Sequence, residues 1–213
     1  MNRLKFLSTL LFVFALSIAS YAQPTLHGAQ SGILGPGAYI VDGSIRVMSG
    51  ETLTIVAGTE FLHNGHWTWD IYGQLNVEGD EGDSVKFLRQ QPIDLHRWGG
   101  IRFAAGASAN STIDFAIIDN CKNGTTPYYI YGGGIYTNGV NLTITNTRIS
   151  ECDAYWDGGG IYAHNGANIT LDHCMVVDCE AISGANAGGI YLINSPESIL
   201  TNSIIARNGG TGT

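Results

Sequence analysis

Residues 132–152 read GGGIYTNGVNLTITNTRISEC, residues 158–179 read GGGIYAHNGANITLDHCMVVDC, and residues 188–208 read GGIYLINSPESILTNSIIARN. The same phrase is written three times, and WGGIRF at residues 98–103 opens a fourth, fainter copy. The Gly-Gly-Ile openings begin at Gly99, Gly133, Gly159 and Gly188, spaced 34, 26 and 29 residues apart. A repeat of this period is the mark of a stacked architecture and precedes any local assignment.

Aligning the copies at their ends places Cys121, Cys152, Cys179 and Asn208 in one column. Ile118, Ile149, Val176 and Ile205 form a second, and Ile113, Ile144, Leu171 and Leu200 a third. The two apolar columns are five residues apart, so an uninterrupted strand would send them to opposite faces. A corner must intervene, and Asn146 and Asn202 stand in that gap, where Asn tolerates the left-handed backbone of a sharp bend. No copy can bury its own apolar column. Stacking equivalent residues at about 4.8 Å would bury all of them. A sandwich of short strands is the competing arrangement; a helical one lacks the 3.6-residue period.

WGGI, GGGIY, the Thr-Ile strands and the Cys/Asn column resemble the right-handed parallel β-helix repeats of the pectin-lyase-like superfamily, over roughly residues 35–213. The resemblance implies an all-β, single-stranded parallel β-helix. That superfamily holds polysaccharide lyases, glycoside hydrolases, adhesins and other surface proteins, so it leaves the activity to the site. Its polygalacturonase-type signature, Asn-Thr-Asp followed by paired Asp, Gly-His-Gly and Arg-Ile-Lys, is not in this sequence.

Outward from the repeats, residues 1–22 carry Arg3 and Lys5, the apolar run Leu10 to Leu16 and Ser20-Tyr21-Ala22, the order of a secretory signal peptide cleaved before Gln23. The apolar run is too short for a transmembrane anchor, and the mature chain is expected to be exported to the cell surface or extracellular space without a transmembrane segment. Residues 23–36 lack periodicity and read as a leader or N-terminal cap. The β-helix domain spans 37–213, with clear repeats over 99–213; Ile45, Ile71 and Ile101 place the same coil length upstream of them. The last coil ends at Asn208-Gly-Gly without a capping unit, which reads as an incomplete piece of a longer solenoid.

The net charge is −8, and loss of Arg3 and Lys5 makes it more negative by two. Such a surface repels nucleic acid and anionic membranes. Three of the four cysteines share a column: either packed thiols behaving as small hydrophobes or a disulfide between neighbouring coils fits the spacing, and no Cys/His spacing suits zinc. Asp119, Glu151 and Asp178 fall within one residue of a shared column. They are the weak catalytic candidates, since glycosidases oppose two carboxylates. The same stack could hold Ca²⁺, the one cofactor the pattern admits, or be a solvated edge. Trp67, Trp69 and Asp70 form one polar-aromatic cluster and Tyr155, Trp156 and Asp157 another, beside Tyr128 and Tyr129 in the equivalent preceding loop. These aromatics either stack on sugar rings or pack on the coils.

The repeats keep their pattern in the strands and depart from it in the loops. The expected function is therefore a non-catalytic binding or adhesion protein whose partner is a polysaccharide or cell-surface glycan. A polysaccharide lyase or glycoside hydrolase is the alternative. Oligomeric state has no signal in the sequence.

Overall fold

The computed structural model describes residues 22–124, 130–183 and 187–210. The signal-peptide segment 1–22, but for Ala22, lies outside them.

Each coil turns through three parallel strands separated by corners. The first face stacks residues 45–47 of the strand Gly37–Val47, then Trp69–Ile71, Ile101–Phe103, Ile135–Asn138, Ile161–His164 and Ile190–Leu192. The second stacks Gly32–Leu34, Thr52–Val56, Gln74–Glu78, Thr112–Asp114, Leu142–Thr145, Ile169–Asp172 and Ile199–Thr201. The third begins at residues 37–41 and continues through Thr59–His63, Val85–Arg89, Ala116–Asp119, Arg148–Ser150, Met175–Val177 and Ile204–Ala206. A short fourth ladder joins Asp153–Ala154, Glu180–Ala181 and Gly209–Gly210. Every pairing is parallel and links one coil to the next, which makes the fold a parallel β-helix.

Residues expected to stack do so. Ile113, Ile144, Leu171 and Leu200 pair in register on the second face, and Ile118, Ile149, Val176 and Ile205 on the third. The intervening corner holds Phe115, Asn146, His173 and Asn202, all at positive φ between 45° and 53°. The left-handed residue reverses the parity of the strand, so both columns point inward. Carboxylates one coil below brace this corner: Asp114 accepts hydrogen bonds from Thr145 and Asn146 at 2.6 and 2.9 Å, and Asp172 from Thr201 and Asn202 at 2.9 and 2.8 Å.

The Gly-Gly openings exist because neighbouring coils touch there. A Cβ on Gly159 would overlap the carbonyls of Gly188 and Glu180. One on Gly160 would reach Val176 Cγ1 at 2.6 Å. The space that Gly160 leaves open is also bordered by Cys179 Sγ, as that of Gly134 is by Cys152 Sγ.

Within residues 23–36, read as a leader or N-terminal cap, Thr25–Ala29 and Gly32–Leu34 pair in parallel with Gly37–Val47 and Thr52–Val56 and cover the first edge as strands of the stack. One sequence expectation changes. In the early coils Ile45 pairs with Trp69, and Trp69 with Ile101, whereas Ile71 pairs with Val47 and Phe103. The column assigned to Ile71 belongs to Trp69, which is 0% exposed. The N-terminal core is built from rings where the later coils use aliphatics. Phe61 stacks on Phe87 at 5.1 Å, Phe87 on Trp98 at 5.8 Å, and Trp69 meets Phe61 edge-on at 4.8 Å.

His63 is embedded in this aromatic core, 4.2 Å from Trp98. Its Nδ1 donates to the Leu88 carbonyl at 2.8 Å, and its Nε2 accepts from Trp69 Nε1 at 3.0 Å. Both nitrogens of the neutral ring are thus used, and protonation would oppose two donors. Burial lowers the pKa from 6.5 to about 3. Because the folded value lies below the unfolded one, the unfolded chain takes the proton first, and stability present above pH 6.5 is lost as pH falls toward 3. The loss from this one group should approach ~1.4 kcal/mol per pH unit within that window, and His63→Gln should flatten the dependence in denaturant titrations.

The register carries its own test on adjacent residues of one strand. Ile144 is buried and Thr143 exposed. Ile144→Ala should cost about 2–5 kcal/mol, and Thr143→Ala less than about 0.5 kcal/mol. Equal losses in chemical unfolding would refute the stacking.

Candidate functional site

The corner after the third face is the second left-handed column: Asn120, Glu151, Asp178 and Arg207 have φ between 51° and 59°. Glu151 and Asp178 therefore stand one above the other on neighbouring coils. Asp119 stands one residue earlier, in register with Ser150. It accepts from Ser150 Oγ at 2.5 Å and from the Asn120 amide. Asp178 is held by Arg207, whose Nε and Nη2 donate at 2.7 and 2.5 Å, and this pairing lowers its pKa. Asp119 and Asp178 are thus each engaged by a neighbour, and Glu151 and Asp178 are both exposed.

Sequence reasoning missed what these residues border. A polar groove of about 340 Å³ is lined by Arg89, Asp94, Arg97, Asn120, Glu151, Asp153, Asp178 and Glu180. It adjoins a second hollow of about 320 Å³, where Leu95 and Ile182 supply apolar walls and His66, Lys122 and Asn123 polar ones. Asp94 and Arg97 belong to both. Arg97 is the keystone. Its Nη1 lies 2.5 Å from Asp153 Oδ2, and its Nη2 donates at 2.7 Å to the carbonyls of Cys121 and Glu151. One side chain thus spans two coil steps. Lys122 Nζ meets both oxygens of Asp94 at 2.9 and 2.8 Å. Burial lowers the pKa of His66 and keeps the imidazole neutral. Leu95, on the turn Asp94–His96, is 75% exposed.

The aromatic loops divide. Trp69 is core and offers no ring face to a ligand, and the half-buried Trp67 packs against the core with its Nε1 donating to Asn64 at 2.9 Å. Asp70 is 9% exposed, on the outward side of the first face, where burial raises its pKa. An aromatic tandem that reads as a loop is thus a strand whose first residue points inward. Tyr155 and Trp156 meet edge-on at 6.1 Å, and Trp156 is 41% exposed. By register Tyr155 stands one coil below Ile182, which lines the apolar hollow. Asp157 is buried, with its carbonyl accepting from Gly132. Tyr128 and Tyr129 lie outside the described residues.

A further row comes from the Tyr of each GGGIY. Tyr136, Tyr162 and Tyr191 pair in register on the outward side of the first face. Their rings stack at 5.8 and 5.5 Å, Tyr131 lies on Tyr162 at 4.6 Å, and Arg102 sits 4.3 Å over Tyr136. Period-two alternation after the buried Ile would have found this row. Its ring faces are spent on one another, so it presents edges and hydroxyls; Tyr136 Oη lies 2.8 Å from His164 Nε2.

A family model described as "Right handed beta helix region" matches residues 95–213. The chain belongs to the right-handed β-helix family. No curated protein and no solved structure matches it.

Among the described residues of this β-helix, no group of three or more His, Cys, Asp and Glu is placed to hold a metal ion, and no helix is long and apolar enough to cross a membrane. The Cys column is a stack of free, buried thiols. Cys152 and Cys179 donate to the carbonyls of Ser150 and Val177 at 3.2 and 3.3 Å. Asn208 continues the column, accepting from the Cys179 N–H at 2.9 Å and donating to the Val176 carbonyl at 2.8 Å. Cys174 belongs to another column, with Thr147 and Ser203, whose side chains each bond the carbonyl two residues earlier. Burial raises the pKa of Cys121, Cys152 and Cys174. The folded β-helix should therefore resist a thiol reagent at neutral pH, and the unreduced chain should titrate four thiols once denatured; two would reveal a disulfide.

Proposed function

We propose that this β-helix is the non-catalytic binding part of an exported surface or extracellular protein, and that the groove across Arg97 receives a saccharide. The observation that carries this reading is the groove's composition. An apolar wall of Leu95 and Ile182 runs into a floor of donors and acceptors of both signs. Saccharides present the matching surfaces, C–H faces and dense hydroxyls, and the combined size suits a few sugar units. The engagement of Asp119 by Ser150 and Asn120, and of Asp178 by Arg207, supports binding over hydrolysis. Export rests on the signal-peptide pattern of residues 1–22.

One observation favours the alternative of a polysaccharide lyase. Burial lowers the pKa of His164, so a neutral imidazole lies 2.8 Å from the Tyr136 hydroxyl, and such a pair can pass a proton.

A panel of neutral and charged oligosaccharides, assayed by calorimetry and by product release, separates the two. Binding without reducing-end or unsaturated product is expected. Leu95→Asp with Ile182→Asp should weaken it at least tenfold without unfolding the chain, because both side chains reach solvent. Turnover abolished by Tyr136→Phe, or binding indifferent to the groove variants, would overturn the proposal.

A further inference from the structure

We infer that the groove selects a linear saccharide bearing free amino groups; this rests on the proposed saccharide site and names its ligand. Five carboxylates line the polar half. Asp94, Asp153 and Asp178 already face Lys122, Arg97 and Arg207. Glu151 and Glu180 have no ion-pair partner among the described residues, and they stand on neighbouring coils. Against them the lining offers one cation outside any ion pair, Arg89. The groove thus holds an excess of unneutralised negative charge beside an apolar wall, in a chain whose net charge is −8.

A neutral sugar would leave the two glutamates hydrated. An anionic one would be repelled by them. A sugar carrying ammonium groups would give each glutamate a charge-assisted hydrogen bond, shorter and stronger than a neutral one, while its ring C–H faces lie on Leu95 and Ile182 and its hydroxyls meet Arg89 and Asp94. The solenoid adds a reason for a polymer of regular repeat. Its columns set Glu151 under Asp178, and Asp153 under Glu180, at the coil spacing of about 4.8 Å, so the acceptors recur along the axis. A stiff saccharide chain with evenly placed amines meets such a series with little ordering cost, whereas the rotamer-rich side chains of a basic peptide pay that cost at every contact.

Calorimetry on the full chain would compare a β-linked glucosamine hexamer, its fully N-acetylated counterpart and an oligolysine peptide of equal charge. The amine-bearing hexamer should bind at least tenfold more tightly than the acetylated one, with affinity falling as salt is raised. Glu151→Gln with Glu180→Gln should erase that preference without changing the melting temperature. Glu60→Gln on an early coil should leave it intact. Equal or tighter binding of the acetylated hexamer would overturn the amine assignment and leave the saccharide site standing, and binding of neither hexamer would overturn both. Oligolysine binding as tightly as the glucosamine hexamer would show a site that reads charge alone, and would overturn the assignment to a glycan.

Discussion

No coil of this chain can bury its own apolar side chains, and that constraint organises the rest. A single turn of three short strands leaves Ile144 and Ile149 uncovered above and below. The residues that cover them are Ile113 and Leu171, and Ile118 and Val176, one coil away on either side. Coils must therefore approach to strand spacing along the whole circuit, including the corner where the backbone turns in. There a Cβ is excluded, and Gly133, Gly159 and Gly188 recur because each would drive a side chain into the backbone of the next coil. The apolar columns and the glycines are two consequences of one spacing.

The corners carry the opposite load. Phe115 and His173 hold the left-handed backbone without the ease of Asn or Gly. What sustains them is that the corner is fixed on both sides by parallel ladders, while the Asn corners stacked above are braced by Asp114 and Asp172. The thiol and hydroxyl columns follow the same logic. A small side chain that can bond a nearby carbonyl fits at Cys152, Cys174, Thr147 or Ser203, and an amide that can bond in both directions fits at Asn208. Cysteine is here one of several residues that meet a local hydrogen-bonding requirement, so the shared column alone calls for neither a disulfide nor a metal.

What was legible in the sequence was what repeats. The apolar columns, the Cys/Asn column and the Asn corners announce themselves because equivalent positions face equivalent surroundings. The early coils were less legible. Aromatic rings stand there in place of aliphatics, and the interval from Ile45 to Trp69 differs from that between Trp69 and Ile101, so Ile71 took a place that belongs to Trp69. The groove was not legible at all. Asp94 and Arg97 come from one irregular loop and Arg89 from the end of the strand before it, while Glu151 and Asp178 come from later corners and Asp153 and Glu180 from the short fourth ladder. Their convergence depends on Arg97 reaching across two coils, which has no trace in local periodicity.

That division bears on where binding can arise in such a fold. A side chain inside the ladder answers to the coils above and below it, and changing it disturbs the stack. Leu95 answers to fewer neighbours, and the loop that carries it stands outside the repeat. Arg97 joins the two regimes: its guanidinium is consumed by structural carbonyls and by Asp153, which pins the loop against the corner column. With the loop pinned, Leu95 is held beside the polar groove that Arg89, Glu151 and Glu180 line. Unlike the tyrosine row, whose faces are occupied by one another, the groove keeps apolar surface and unpaired charge open to solvent. It is there, where the periodic scaffold holds a non-periodic loop still, that the chain offers a partner something other than its own repeat.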